Sequence, residues 1–257
     1  MRQGVQFIPI ATTILALWFA VVLCQRWNQR GGRHLLWFAV GALTYAAGTI
    51  AESWTTLFGW NEVVFRAWYI AGALMGGAPL AQGAVYLHLN RRTADRFAVA
   101  LVVTIAIASA FVIASPLRYD LVVDGHLSGK VLAWTWVRAF SPFVNTYALL
   151  FLVGGAAVSA RHFSRSVEMR HRFVGNTLIA IGALLPGIGG AFTRFGHTEV
   201  LYVTEFLGLV LICLGYRFTI APTRPPAVMS HLARRGSHGS LPEARDRLGG
   251  VVARARG

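Results

Sequence analysis

Long apolar blocks, each about the length needed to cross a membrane, divide most of the chain. Seven such blocks lie at residues 5–24, 34–54, 64–88, 97–115, 131–159, 173–193 and 200–219. Crossing the roughly 30 Å hydrocarbon core of a bilayer takes ~20 helical residues. Because backbone groups in lipid must be hydrogen-bonded within the protein, we expect each block to be a helix. The pattern predicts an all-α membrane protein, a bundle of seven transmembrane helices in residues 1–219.

Composition supports the membrane class and argues against nucleic acid as a partner. The chain is 55% apolar and 13% charged, and that charged fraction is about half of the roughly 25% typical of soluble domains. A net charge of +14 would suggest nucleic-acid binding in a soluble protein. Here most arginines flank the apolar blocks, so we attribute them to membrane orientation. The lipid bilayer is the expected partner.

The distribution of basic residues predicts how the bundle is oriented. The links after the first, third and fifth blocks hold ten arginines: Arg26, Arg30, Arg33, Arg91, Arg92, Arg96, Arg161, Arg165, Arg170 and Arg172. The opposite side holds four basic residues: Arg2, Arg118, Lys130 and Arg194. Cytoplasmic links carry the excess of arginine and lysine. We therefore expect the N-terminus outside and the C-terminus in the cytoplasm, in the plasma (inner) membrane.

The composition changes after about residue 220. Residues 220–257 are rich in Pro, Gly, Ser and Arg and poor in large apolar side chains. Such a segment cannot bury enough surface to offset its ordering entropy. We predict a disordered basic cytoplasmic tail. It either remains solvated and helps to hold the orientation or is attracted to anionic headgroups or an acidic partner.

Glycine and polar residues within the blocks indicate how the helices pack. Glycines are dense in "GALMGGAPLAQG" at 72–83 and in "GALLPGIGG" at 182–190, and small residues let helix backbones approach closely. Gln82 and Asn145 are expected to form hydrogen bonds between helices. In the second block, Tyr45, Thr49 and Glu52 are spaced four and three residues apart, so they form one stripe on a helix.

Four charged residues fall inside the blocks at a similar depth. Glu52 and Glu205 share the outer third of the predicted bundle with Arg66 and Arg138. A charge within a membrane span is costly unless it pairs with another or lines a water-filled cavity. We therefore predict that Glu205 faces the bundle interior and pairs with Arg138 or Arg66.

This cluster admits three interpretations that the sequence leaves open. It is a structural ion-pair network, a pocket open to the outside that binds a small polar or amphipathic ligand, or a set of side chains that reach the interface. In the pocket interpretation, the arginines bind a carboxylate or phosphate of the ligand. The glutamates either fix the geometry of those arginines or bind an amine of the ligand. Its predicted ligand-binding residues are Glu52, Arg66, Tyr69, Trp134, Arg138, Asn145, Tyr202 and Glu205.

Sequence signals for a cofactor or for catalysis are lacking. A haem or di-metal membrane enzyme needs two or more histidines at mid-depth on facing helices, whereas nearly all histidines here fall in links, span ends or the tail. The one lysine, Lys130, lies at the edge of the fifth block, where it could not hold retinal. We expect no cofactor and no metal, and an enzyme is the less favoured class.

Three stretches carry a resemblance to a known family. They are "HLLWFAVGALTYAAGT" after an arginine-rich link, "RAWYIAGALMGGAPLAQGAVYLHL" and the closing "FLGLVLICLGYRF". Together they resemble the seven-transmembrane region at the N-terminus of some bacterial histidine kinases and related receptors. The resemblance covers about residues 6–219 and implies a sensor module; it brings no catalytic residues.

The tail has no phosphoacceptor helices and no ATP-binding domain, which departs from the kinase pattern. We therefore expect a receptor-like protein that signals to a separate membrane or cytoplasmic partner. Two alternatives remain: an accessory or structural subunit of a membrane complex, and a small-molecule transporter. The inverted repeat with broken midplane helices that a transporter often shows is not visible in the sequence.

Overall fold

The computed structural model describes residues 2–5, 7–123, 125–164, 169–193, 195 and 197–221. The structure is 87% helix, and the described residues form no β-strand. Seven helices are long and apolar enough to cross a membrane, which confirms the predicted all-α class and the number of spans. The predicted disordered tail, from residue 222 onward, and Arg194 lie outside the described residues.

The seven helices follow one another with short links. They are α1 Ile8–Arg30, α2 Arg33–Phe58, α3 Glu62–His88, α4 Arg91–Ala114, α5 Thr135–Phe163, α6 Arg170–Thr193 and α7 Thr198–Ile220. The bounds agree with the predicted blocks to within four residues, apart from the end of α1 and the start of α4, where the helices extend six residues into the flanking links. A short helix, Arg2–Val5, precedes α1.

Local sequence explains several of these helix ends. The side chain of Asn61 accepts hydrogen bonds from the backbone N–H groups of Val63 and Val64 at 2.9 and 3.2 Å, so it caps α3. Asn90 caps α4 in the same way. At the ends of α1 and α2 the chain turns through glycines with φ of 64° and 86°, Gly31 and Gly59, a conformation that residues with a Cβ rarely adopt.

The order of neighbouring helices forms a closed circuit. Along this circuit α1 packs on α2, α2 on α3, α3 on α5, α5 on α6, α6 on α7, and α7 on α1, while α4 packs against α3. One buried cluster joins α1, α2 and α7 through small and aromatic side chains, among them Phe19, Ala42 and Leu209. We call the end where α1 finishes and α2 begins the arginine-rich end.

Polar groups join helices inside the bundle, as predicted for Gln82. Its side chain is fully buried, donates to the carbonyl oxygen of Ala94 on α4 at 2.9 Å and accepts from the hydroxyl of Tyr147 on α5. A buried amide needs such partners because leaving it unpaired costs free energy. Gln82 therefore fixes α3 against α4 and α5.

Helix α3 is interrupted near its middle. An α-helical segment, Glu62–Trp68, continues as a π-helix over Tyr69–Leu74, residues 75–77 form a turn and bends, and α-helix resumes at Ala78–His88. The side chain of Asn145 on α5 donates to the carbonyl oxygen of Ala73 at 3.4 Å. Neighbouring side chains commonly satisfy carbonyls that an irregular helix leaves free in lipid. A broken helix is thus present that the sequence did not reveal.

Glycines bring α6 and α7 into direct backbone contact. Gly175 and Gly182 of α6, seven residues apart, face Gly215 and Gly208 of the antiparallel α7. A Cβ on Gly182 would lie 2.6 Å from the carbonyl oxygen of Gly208, and one on Gly215 would lie 2.5 Å from that of Gly175. The close packing predicted for the glycine-rich block is confirmed on this face, and it holds the helix that carries Glu205.

Candidate acidic site between α2, α3 and α7

Two glutamates on different helices meet inside the bundle. The carboxyl groups of Glu52 on α2 and Glu205 on α7 lie close enough to interact with each other. Glu52 is 4% exposed, and Glu205 is partly buried. Glu52 Oε1 accepts a hydrogen bond from Nε1 of Trp68 on α3 at 3.0 Å. The pair therefore ties three helices together at one point.

The second oxygen of Glu52 lacks a hydrogen-bond donor. Within the described part of the chain, no N–H or O–H group reaches the buried Oε2 atom. Two ionised carboxylates in contact repel each other strongly away from water. The arrangement is stable only when a proton or another cation lies between the two carboxyl groups.

Aromatic side chains enclose this pair. The hydroxyl of Tyr45 donates to the backbone carbonyl oxygen of Glu205 at 3.0 Å, and Tyr202, which is 5% exposed, lies close enough to interact electrostatically with both carboxyl groups. Phenol and indole rings present negative π-faces that attract cations. We call Tyr45, Glu52, Trp68, Tyr202 and Glu205 the acidic site.

The predicted pairing of Glu205 with Arg66 or Arg138 is wrong. Arg66 instead forms a salt bridge to Glu62, one turn earlier on α3, at 2.8 Å. Its guanidinium also donates to carbonyl oxygens at the C-terminal end of α4, including those of Ile113 and Ser115 at 2.8 and 3.1 Å. A cation at a helix C-terminus satisfies free carbonyls and complements the helix dipole. Arg66 is therefore structural.

Glu62 is also placed differently from the prediction. It falls in the link between the second and third predicted blocks, whereas in the structure it opens α3. Its carboxylate forms a salt bridge to Arg66 and accepts a hydrogen bond from the hydroxyl of Tyr119 at 2.6 Å. Tyr119 lies in the loop between α4 and α5. Its hydrogen bond to the Glu62 carboxylate raises the pKa of Tyr119 above its usual value of 10.

Arg138 lies apart from the acidic site. It belongs to a 3₁₀ turn, Thr135–Ala139, that opens α5, and its side chain is exposed. It is near Tyr69, whose hydroxyl accepts a hydrogen bond from Ser141 at 3.3 Å. Among the described residues, Arg138 forms no salt bridge to a carboxylate.

The predicted ligand-binding residues thus separate into two groups. Glu52, Tyr202 and Glu205 converge in the acidic site, whereas Arg66, Tyr69, Trp134, Arg138 and Asn145 lie along the α3–α5 side. Trp134 stacks on Trp136 with ring centroids 6.2 Å apart. These five residues serve contacts between α3, α4, α5 and the adjoining loop, and the structure does not bring them to the carboxyl groups.

Tyr45 and Trp68 were not in the predicted set, although the sequence holds a signal for each of them. Tyr45 lies seven residues before Glu52, two helical turns along the same stripe, so the period places both on one face. Trp68 lies two residues after Arg66, among the charged residues of similar depth. Its indole reaches Glu52 only because α3 packs closely on α2, where a Cβ on Gly48 would lie 3.1 Å from the Cα of Gly72.

Carboxyl oxygens and aromatic side chains make up the acidic site. Over the described residues, no group of three or more histidine, cysteine, aspartate or glutamate side chains could hold a metal. Two neighbouring carboxyl groups form an acceptor pair that suits a proton or a protonated amine.

Comparison with known proteins identifies no relative. No protein-family model, no curated protein and no solved structure matches the chain.

Proposed function

We propose that this chain is a receptor-like, multi-pass membrane protein that binds a cationic ligand at the acidic site and signals to a separate protein partner. The observation that carries this proposal is the buried Glu52 Oε2 atom, which lacks a donor and lies beside a second carboxyl group. A positively charged ligand group would supply the missing donor and remove the repulsion. In its absence a proton takes this role.

The proposed orientation places the N-terminus outside and the bundle in the plasma membrane. The support is the excess of arginine at one end of the bundle. Glu52 lies near the end of α2 and Glu205 near the start of α7, both at the arginine-poor end. The acidic site then belongs to the outer half of the membrane, within reach of an extracellular ligand.

The ligand class differs from the first expectation of an anion held by arginines. Arg66 is engaged by Glu62 and by the end of α4, and Arg138 is exposed away from the carboxyl groups. The groups that do converge are acceptors and aromatic rings. Such a set recognises a protonated primary, secondary or tertiary amine, whose N–H group supplies the missing donor.

Signal transfer follows from how α7 is held. One face of α7 is fixed to α6 by glycine contacts, and the acidic site attaches another face to α2. A ligand that replaces the shared proton changes the α2–α7 contact while α6 and α7 move together. The tail that follows α7 would then present the change to the partner.

Native mass spectrometry of protein extracted gently from its own membranes tests this proposal. We expect a small cationic adduct on the wild-type chain that is absent from both Glu52→Gln and Glu205→Gln. Asp120→Asn is the matched control because it removes the same charge from an exposed loop position. An adduct that survives both glutamine variants, or that is lost equally in Asp120→Asn, contradicts the proposal.

A transporter is the second candidate, because α3 is interrupted near its middle at residues 75–77. Discontinuous helices of this kind form substrate and ion sites in transporters. Substrate-dependent flux into proteoliposomes would establish this function. A stoichiometric protein adduct in the mass spectrum without a small molecule would instead support an accessory subunit.

A further inference from the structure

A cavity opens at the arginine-rich end of the bundle, at the end opposite the acidic site. It has a volume of about 470 Å³ and lies where α1 ends, α2 begins, α3 ends and α4 begins. Its polar and aromatic lining consists of Trp27, Arg33, His34, Tyr86 and Arg91. None of these residues takes part in the proposed cation binding, so this inference goes beyond that function.

The charges around this cavity are predominantly positive. The guanidinium of Arg33 pairs with Asp95, whose carboxylate also accepts a hydrogen bond from the hydroxyl of Tyr86 at 2.7 Å. Arg91 is exposed and, among the described residues, forms no salt bridge. The negative charge of Asp95 therefore offsets only one of the two arginines. Asp95 and Tyr86 hold Arg33 in place, which leaves the charge of Arg91 available to a ligand.

The shape and chemistry of the lining select the ligand class. Arginine guanidinium groups match phosphate oxygens in geometry and charge. Trp27, at the end of a membrane-spanning helix, belongs to a residue type that concentrates at the membrane interface. Basic pockets between transmembrane helices at this level bind anionic lipid headgroups.

We propose that this cavity is a binding site for a phosphate group, and specifically for the phosphodiester of an anionic phospholipid such as phosphatidylglycerol. Arg91 and Arg33 contact the phosphate oxygens. The acyl chains of the lipid extend along the apolar surfaces of α1 and α2. A free inorganic phosphate shares the charged group but lacks these chains.

The affinity of the purified full-length protein in detergent for dioleoylphosphatidylglycerol, measured by native mass spectrometry, tests the site. Dioleoylphosphatidylcholine and inorganic phosphate are the comparison probes. We expect Arg91→Gln to weaken phosphatidylglycerol binding by about fivefold, the effect typical of one basic residue near an anionic lipid. Arg92→Gln is the matched control, because it removes the same charge from the next position, which does not line the cavity, and it should bind as the wild type does.

A second variant distinguishes a loss of lipid binding from a folding defect. Asp95→Asn removes the carboxylate that offsets one arginine, so it should strengthen phosphatidylglycerol binding, which a damaged fold would not do. If the protein binds inorganic phosphate and Arg91→Gln weakens that binding, a free phosphate is the ligand of the same site. Equal affinities of Arg91→Gln and Arg92→Gln, or equal binding of the two lipids, would overturn the proposal.

Discussion

The contact between α6 and α7 offers the sharpest test of how this bundle is held together. In Gly182→Ala, the new Cβ would lie 2.6 Å from the carbonyl oxygen of Gly208 and 3.0 Å from side-chain atoms of Leu211 and Ile212. Ordinary contact begins at 3.4 Å, so the two helices would have to separate locally by 3.4 − 2.6 = 0.8 Å. Overpacking of this kind costs about 1–3 kcal/mol.

The same helix supplies a control. Nothing lies within 4 Å of a Cβ built on Gly187, so Gly187→Ala meets open space. Alanine is favoured over glycine within a helix by roughly 0.5–1 kcal/mol. We therefore expect Gly187→Ala to leave stability unchanged or raise it slightly, while Gly182→Ala lowers it.

Reversible unfolding of the detergent-purified protein, followed by tryptophan fluorescence during titration with sodium dodecyl sulfate, measures both free energies of unfolding. Gly182→Ala should also weaken cation binding, because Gly208 is only three residues from Glu205 on α7. Equal free energies of unfolding for the two alanine variants would refute the conclusion that backbone contact between α6 and α7 stabilises the bundle.

Two further predictions concern hydrogen bonds to glutamates. Trp68→Phe removes the indole donor to Glu52 and should lower the free energy of unfolding by about 1–3 kcal/mol, whereas Trp54→Phe, at an exposed position, should not; thermal unfolding of both variants checks this. Tyr119 donates to Glu62, which raises the pKa of this phenol. This hydrogen bond therefore stabilises the fold below pH ~10 and is lost as pH rises through the raised pKa. In Glu62→Gln the Tyr119 phenol should ionise at lower pH, as seen in near-ultraviolet absorbance relative to Tyr119→Phe. An unchanged titration would contradict the assigned contact.

The candidate site was predictable in part because depth and helical face can be read from one helix at a time. Glu52, Tyr202 and Glu205 were all predicted to line one site, and they do lie together. Tyr45 lies on the same helical face as Glu52. The partner of Glu205 was assigned to an arginine on the assumption that opposite charges at equal depth find each other. That assumption failed because Arg66 is engaged by Glu62 and by the end of α4, and Arg138 is exposed at the start of α5, near Tyr69.

The interruption of α3 is a second feature that could not be predicted from one helix at a time. The glycines at 72–83 predicted close packing, but the π-helix at Tyr69–Leu74 is formed where α3 packs against α2, α4 and α5. Asn145, from a different helix, satisfies a carbonyl there. The helix propensity of one segment carries no information about a hydrogen bond from another helix.

The sequence by itself determined the class of the protein, the number of spans and the close packing along the glycine-rich face, because apolar length and residue size act locally in lipid. Only the tertiary structure decided which charges meet. The order in which helices neighbour one another depends on the sum of many side-chain contacts, and that order placed Glu205 against Glu52 and Trp68 and left each arginine at a helix end.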